Sequence, residues 1–352
     1  MNASPSQPRP AGRPETDGLR PTAERDLPAG RHEFHKEQLM ARIHEDLDSA
    51  TPRPARRNPF LRRAILLPAA AFALTGAIVA VAALSPGSDS GQVAASDGGP
   101  VLTTTVGVAD PKGVVQLLDR ISLAAQETTV PKPGASQFVY IESKVAGTNI
   151  RVDKGKSSVV SEALNTRRSW KSPDGHRGWL IDKQHKDGIT LDTDEAAYLN
   201  APSYDYLNTL PTDPDALLKK IYAETAGHGP GPDAEAFVTI GDLLVESYPS
   251  PQLAAALYKA AAKIPGVAQV DDAVDAVGRH GVAVARFEPK TGVRSEWIFD
   301  KSSLAFLGAR AVQVEADPAD GGLIKPGTVI STSAVTARTV VDGIKQTAAH
   351  QA

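Results

Sequence analysis

The 352-residue sequence contains no cysteine. Disulfide bonds, thiol catalysis and cysteine-ligated metal sites are therefore excluded. A lipid anchor on an N-terminal cysteine is excluded for the same reason. The absence says little about the compartment, because a domain of this size can be stabilised by its hydrophobic core without covalent cross-links.

The sequence also lacks a basic surface and the common catalytic motifs. Residues 85–352 hold 26 Lys and Arg against 32 Asp and Glu, so we expect no nucleic-acid partner for them. No GxSxG elbow, Walker loop or paired-histidine metal spacing is present, and we expect neither enzymatic activity nor a cofactor. Residues 32–35 are one residue short of the HExxH spacing. The acidic stretch 192–195 lacks the glycine and distal glutamate of an EF-hand loop, and we interpret it as a turn.

One long uncharged run is present, from Ala64 to Leu84. As a helix it would rise about 31 Å, close to the thickness of the hydrocarbon core of a bilayer. Five arginines lie in residues 53–63, immediately before the run, and no acidic residue interrupts them. The positive-inside rule therefore predicts a single transmembrane helix over 64–84, with the N-terminus in the cytoplasm and the C-terminal domain outside.

Two other interpretations of this run involve export signals. A cleaved signal peptide would need a leader much longer than usual before the apolar run. Residues 56–61 resemble a twin-arginine signal but have one residue too many between the arginine pair and Phe-Leu. We therefore favour an uncleaved anchor in the membrane lipid bilayer.

The predicted cytoplasmic part has three segments. Residues 1–30 are rich in Pro, Gly, Arg and Ser, which predicts disorder. Residues 31–49 form a predicted amphipathic helix, and residues 50–63 a basic juxtamembrane segment. The apolar stripe of the helix consists of Leu39, Met40, Ile43 and Leu47. The stripe fits a docking site for a cytoplasmic protein and equally fits a helix lying on the inner leaflet.

After the run, we predict a flexible stalk over 85–108, an extracytoplasmic domain over 109–345 and a disordered tail over 346–352. Four amphipathic helices are predicted in the domain, with starts at Asp110-Pro111, Asp213-Pro214, Asp233 and Ser250-Pro251. Strands are predicted over 137–145, 157–170, 177–181, 282–287, 293–299, 304–314 and 328–341. Strands, then helices, then a β-meander predict an α+β fold. Its antiparallel sheet, curved or flat, would carry helices on one face.

Several segments resemble an uncharacterised family of actinobacterial single-pass membrane proteins. These segments are LPAGRH (27–32), KEQLM (36–40), LPTDPDALL (210–218), IPGV (264–267), GRHGVAV (278–284), EWIFD (296–300) and FLG (306–308). Such proteins are often companions of extracytoplasmic-function sigma factors, which implies a cytoplasmic regulatory partner of that kind. More distantly, the predicted architecture resembles the lipoprotein-carrier fold, which periplasmic regulators of sigma-factor signalling also use.

These observations together predict a non-enzymatic, membrane-anchored protein that takes part in envelope sensing or regulation. The alternative is an anchored carrier or binder of lipid or another apolar molecule. A carrier would need a cavity lined by large apolar side chains. The predicted strands offer Phe138, Tyr140, Trp179, Trp297 and Phe299, which would line such a cavity or, if the helices pack flush on the sheet, fill a close-packed core.

Overall fold

A computed structural model describes residues 100–348. The helices are α1 (Val114–Glu127), α2 (Tyr204–Leu207), α3 (Pro214–Glu224), α4 (Pro232–Glu246) and α5 (Pro251–Ala261). The strands are β1 (Phe138–Asp153), β2 (Lys156–Ser161), β3 (Asn165–Lys171), β4 (Gly178–Ile181), β5 (Ile189–Thr190), β6 (Val267–Val274), β7 (His280–Glu288), β8 (Val293–Phe299), β9 (Phe306–Gln313) and β10 (Val329–Val341).

Within these residues ten strands form an antiparallel sheet; nine of them lie in the order β5-β4-β3-β1-β10-β9-β8-β7-β6, and β2 pairs with β1 beside this path. Strand β1 is long enough to have two partners along one edge. Its first half pairs with β3 and its second half pairs with β2. Strand β10 joins the two parts of the sheet by pairing with β1 on one side and with β9 on the other. The predicted α+β class with an antiparallel sheet is confirmed.

The helices pack on one face of the sheet. Side chains of α1, α3, α4 and α5 form the main core with residues of β6, β7 and β8 that point towards them. Trp297 of β8 stacks on Phe237 of α4 with ring centroids 4.0 Å apart. This stacking requires a glycine at position 241 of α4, because a Cβ there would lie 2.5 Å from the indole nitrogen of Trp297.

Helix starts follow the sequence where the cap is local. Asp213 accepts a hydrogen bond from the Ala216 amide, and Ser250 accepts one from the Leu253 amide, as N-cap side chains do. The predicted cap at Asp110 is wrong. Helix α1 begins at Val114 and its N-cap residue is Gly113, while the backbone of Asp110 pairs with Gln269.

Three strand predictions also differ from the structure. The strand predicted over 157–170 is two strands, β2 and β3, because each pairs with a different half of β1. Strand β6 was not predicted, since two consecutive aspartates and a bulge between Val270 and Ala273 break its alternation. The two-residue strand β5 was not predicted either.

The ends of the domain differ from the expected stalk and tail. Residues 102–110 lie on the sheet with backbone hydrogen bonds, so the described end of the predicted stalk is held in place. At the other end, the carbonyl of Gln346 accepts a hydrogen bond from the indole of Trp170. No helix among residues 100–348 has the length and apolarity needed to cross a membrane, and the predicted span 64–84 lies outside the described residues.

Candidate functional site

The first described segment of the chain crosses the sheet on the face opposite the helices. We call residues 102–110 the strap. At its start the carbonyl of Leu102 accepts a hydrogen bond from the amide of Val329 on β10, and at its end Asp110 exchanges two backbone hydrogen bonds with Gln269 on β6. Between these points the strap passes over β9 and β8. The strap thus connects the middle of the sheet to its β6 edge.

Beneath the strap lies a buried cluster of three charges, Arg294, Glu296 and Arg310. Glu296 is fully buried, and the two arginine side chains are 5% and 3% exposed. One carboxylate oxygen accepts from Nε of Arg294 and the other from Nε of Arg310, each at 2.7 Å. These residues alternate along β8 and β9 with side chains that face the helices, which is why they share the opposite face.

The strap supplies further partners to this cluster. The carbonyl of Gly107 accepts a hydrogen bond from Nη1 of Arg294 at 2.8 Å. The hydroxyl of Thr104 accepts one from Nη1 of Arg310 at 3.1 Å. Each arginine carries five N–H donors. The single carboxylate of Glu296 has too few acceptor sites for the donors of two arginines. The strap therefore gives each arginine one further hydrogen-bond acceptor and covers both of them, while the buried Nη2 of Arg294 has no hydrogen-bond partner among the described residues.

A groove opens beside the end of the strap, between α1, the β6 edge and the turn that joins β8 to β9. Its volume is about 320 Å³. The aliphatic lining consists of Leu117, Val282 and Leu304, and the polar lining of Gln116, Arg120, Gln269, Asp271 and Lys301. Gly113 completes the wall. The groove offers a small apolar floor with amides and charges of both signs around it.

Gln269 belongs to both features. Its backbone pairs with Asp110 at the end of the strap, while its side-chain amide lines the groove close to Gly113. A molecule in the groove would therefore contact a residue that fixes the strap. This shared residue is the structural connection between the groove and the strap.

The large aromatic residues of the strands divide between the two faces and pack against other side chains. Trp297 and Phe299 lie in the core under the helices, where Phe299 contacts Tyr258 and Phe306. On the opposite face, Tyr140 packs on Trp170 with ring centroids 5.1 Å apart, together with Phe138 and Trp179. None of the five aromatics proposed from the sequence lines the groove.

A polar network lies at the margin of the second aromatic cluster. Glu142 accepts hydrogen bonds from the hydroxyl of Tyr140 at 2.8 Å and from Nε of Arg168 at 2.7 Å. Burial acts to raise the pKa of Glu142, but the hydrogen bonds from Arg168 and Tyr140 outweigh it and hold that pKa below its usual value. Burial and the carboxylate of Glu142 raise the pKa of the Tyr140 phenol.

Arg338 of β10 faces the helices. Its guanidinium donates to the carbonyls of Leu244 and Val245 in the last turn of α4. The C-terminus of a helix carries partial negative charge, which favours a cation at this place. Burial lowers the pKa of Arg338. Arg338 therefore acts as a structural cap for α4.

The residues selected from the sequence as functional lie elsewhere. The docking stripe Leu39, Met40, Ile43 and Leu47 and the span ends Ala64 and Leu84 are outside the described residues. Within residues 100–348, no group of three or more His, Asp or Glu side chains is placed to hold a metal. The acidic stretch 192–195 serves a turn, since Asp192 accepts from the Gly178 amide.

Sequence reasoning did not identify the strap or its charge cluster. Charged residues that alternate with apolar ones in a strand are usually solvent-exposed, and Arg294 and Glu296 follow that pattern in the sequence. The missing information was that another segment covers this face of the sheet. That contact joins residues separated by 187 positions, as between Gly107 and Arg294.

No family model matches the chain, and no curated protein matches its sequence. Two solved complexes are similar in structure: the MucA/MucB complex of Pseudomonas aeruginosa, with a TM-score of 0.23 and 12% identity, and MucB in complex with MucA(peri), with a TM-score of 0.20 and 10% identity. Each match covers 64% of this chain and 56% of the other, so this chain spans little more than half the length of those chains. Similarity at these TM-scores does not decide function.

Proposed function

We propose that the chain is a membrane-anchored regulatory protein without enzymatic activity. The predicted span from Ala64 to Leu84 would hold it in the cell membrane as a single-pass protein, with the described domain outside. The stripe Leu39, Met40, Ile43 and Leu47 would bind a cytoplasmic regulatory protein such as a sigma factor. The state of the domain would then control that binding.

The observation that carries this proposal is the strap. The strap is the first part of the described domain after the predicted span, and backbone hydrogen bonds hold both of its ends on the sheet. A released strap of nine residues would lengthen the connection to the membrane by up to about 30 Å, at roughly 3.3 Å per extended residue. The docked and released states therefore differ in the length of chain between the domain and the membrane, and the membrane span can transmit this difference.

The charge cluster under the strap lowers the free energy needed to release the strap. Buried ion pairs contribute little net stability, because the cost of removing the charges from water offsets their attraction. When the strap lifts, Arg294, Glu296 and Arg310 regain hydration. Local opening of this kind requires less free energy than global unfolding. The same argument would not apply to a strap held by a purely apolar surface.

The alternative of an apolar-ligand carrier receives no support from the described residues. The large aromatics fill the space between helices and sheet or pack with one another on the opposite face. The groove is small and is lined mostly by amide and charged side chains. An acyl chain would bring no polar group that matches these side chains.

A disulfide lock on the strap tests the proposal. A Cβ at position 107 would lie 2.9 Å from Cγ1 of Val270, so Gly107→Cys with Val270→Cys should form a bond in a chain that has no other cysteine. The full chain, with a photo-crosslinking residue in place of Ile43, would be expressed in cells. We expect the yield of the crosslinked cytoplasmic product to differ between the oxidised and reduced forms.

A matched control carries its cysteine pair on the β1–β2 hairpin, at Val152 and Ser157, which face each other across the ladder. Oxidation of this control should leave the crosslinking yield unchanged. Equal yields in the oxidised and reduced strap lock, with disulfide formation verified by mass spectrometry, would overturn the proposal. So would a crosslinking pattern that contains lipid and no protein.

A further inference from the structure

The groove contains two charged side chains that have no charged partner among the described residues. Arg120 of α1 and Asp271 of β6 take part in none of the ion pairs within residues 100–348, including one with each other. Lys301, the third charge of the lining, is already bound to Asp272 at 2.8 Å. Both side chains are solvent-exposed, and within the lining Arg120 is the cation and Asp271 the anion that lack a charged partner in the described part of the chain.

The uncharged side chains of the lining define two further properties of a ligand that fits the groove. The side-chain amides of Gln116 and Gln269 make no hydrogen bond to another side chain or backbone group in the described part of the chain. Leu117, Val282 and Leu304 provide an aliphatic floor. A well-matched ligand would therefore bring an amide group and an aliphatic group as well as both charges.

We propose that the groove binds a zwitterionic peptide of about two residues that carries an aliphatic side chain. Its carboxylate would pair with Arg120 and its ammonium group with Asp271. Its peptide group would bind the two glutamine amides, and its side chain would lie on the aliphatic floor. The volume of about 320 Å³ is at the lower end of the range for small-molecule sites, which suits a dipeptide and excludes a folded partner.

Both ends of such a ligand are needed. A fatty acid would match Arg120 and the aliphatic floor but would bring no group that binds Asp271 or the two glutamine amides. A polyanion would be repelled by Asp271. Charge complementarity therefore favours the peptide over a lipid, and a fatty acid becomes the discriminating competitor in the test.

Peptide binding would also act on the strap, a step that rests on the proposed function. The ligand would contact Gln269 and Gly113, next to the two backbone hydrogen bonds that hold Asp110. A ligand that bridges α1 and β6 holds the end of the strap in its docked position. We therefore expect the cysteine pair at positions 107 and 270 to oxidise faster when the peptide is bound.

The test uses the full chain in lipid nanodiscs and isothermal titration calorimetry. The probe is the dipeptide Leu-Ala, and the comparison probes are its N-acetyl form, its C-terminal amide and decanoate. We expect saturable binding of Leu-Ala, with affinity at least about tenfold lower for each blocked form. Arg120→Gln should abolish the preference for the free carboxylate, and Asp271→Asn the preference for the free amine.

Matched controls are Asp119→Asn, which is exposed on α1 and does not line the groove, and Arg151→Gln on the exposed hairpin. Both should bind Leu-Ala like the unmodified chain. All four substitutions are at exposed positions, and thermal melting would verify folding. Absence of saturable Leu-Ala binding up to about 10 mM, or equal binding of decanoate, would overturn the site.

The outcomes separate the site from the proposed function. Binding of Leu-Ala without any response of the crosslinking yield to the strap lock would retain the site and reject the regulatory role. A response to the lock without Leu-Ala binding would retain the regulatory role and reject the site.

Discussion

Replacement of Glu296 by glutamine tests the buried charge cluster beneath the strap. The substitution keeps the size of the side chain but removes the single negative charge between Arg294 and Arg310, both of which stay buried beneath the strap. Removal of one partner from a buried ion pair leaves an uncompensated charge and typically costs about 3–5 kcal/mol. For a domain of this size, each kcal/mol lowers the melting temperature by about 2–4 °C. We therefore expect a decrease of roughly 6–20 °C.

The assay is thermal unfolding of the full chain followed by near-UV circular dichroism, with urea unfolding as a second measurement. The control is Glu315→Gln, an exposed glutamate beyond β9, which should change stability by less than about 0.5 kcal/mol. Simultaneous replacement of all three cluster residues by Met or Leu should recover most of the loss, because no charge is then left unpaired.

A Glu296→Gln variant that melts like the control would refute the reasoning. It would mean that water reaches both arginines in the folded state, so the strap does not shield them. A triple replacement that is less stable than Glu296→Gln would refute the second part, since the charges themselves would then supply net stability. Either result would also remove the argument that strap release is inexpensive.

Four further predictions concern other parts of the chain. Asp213→Ala should destabilise the domain by about 0.5–2 kcal/mol in urea unfolding, because it removes the N-cap of α3. The pKa of Glu142 is lowered in the folded state from its usual value of 4.5, so the stability that Glu142 contributes is present above pH 4.5 and is lost as the pH falls through the folded-state pKa. Urea unfolding of Glu142→Gln should therefore show a smaller loss of stability between pH 7 and pH 3 than the unmodified chain. Protease added to wall-stripped cells should remove the chain beyond about residue 85 and leave the tail protected, whereas digestion of the tail would refute the topology. Solvent extraction of the purified chain should yield no stoichiometric lipid by mass spectrometry, and a stoichiometric lipid would revive the carrier alternative.

Helix positions could be predicted because their signals are local. The caps at Asp213 and Ser250 bond to backbone amides three residues away, and the sequence contains everything that this contact needs. The cap predicted at Asp110 failed because a non-local partner competed for the same residue. Its backbone pairs with Gln269, and its side chain bonds to the amide of Lys112.

Strand partners were harder to predict than strand positions. The hairpin of β7 and β8 lies where the sequence places it, because its turn is local and both strands alternate. The pairing of β1 with both β2 and β3 along one edge depends on its full length of 16 residues, which the polar second half of the strand conceals. The bulged strand β6 has two adjacent aspartates and so lacks the period-two pattern that identifies strands.

The candidate site could not be predicted from the sequence. Arg120 and Asp271 are far apart in the chain, and each resembles an ordinary surface charge in its own segment. Their shared groove exists because α1 packs beside the β6 edge. The charge of a side chain is visible in the sequence, but whether that charge has a partner depends on contacts that only the folded chain makes.

The sequence by itself determined the elements whose causes lie within a few residues, which are the capped helices and the alternating hairpins; the span predicted over the uncharged run 64–84 stays a prediction. The α+β class followed from their order. Tertiary structure alone decided that Glu296 is buried between two arginines, that the strap covers them, and that the groove lies beside the end of the strap. The physical reason is that burial and pairing of charges depend on which distant segments pack together, and strand alternation is the same whether the second face of a sheet meets water or another segment of the chain.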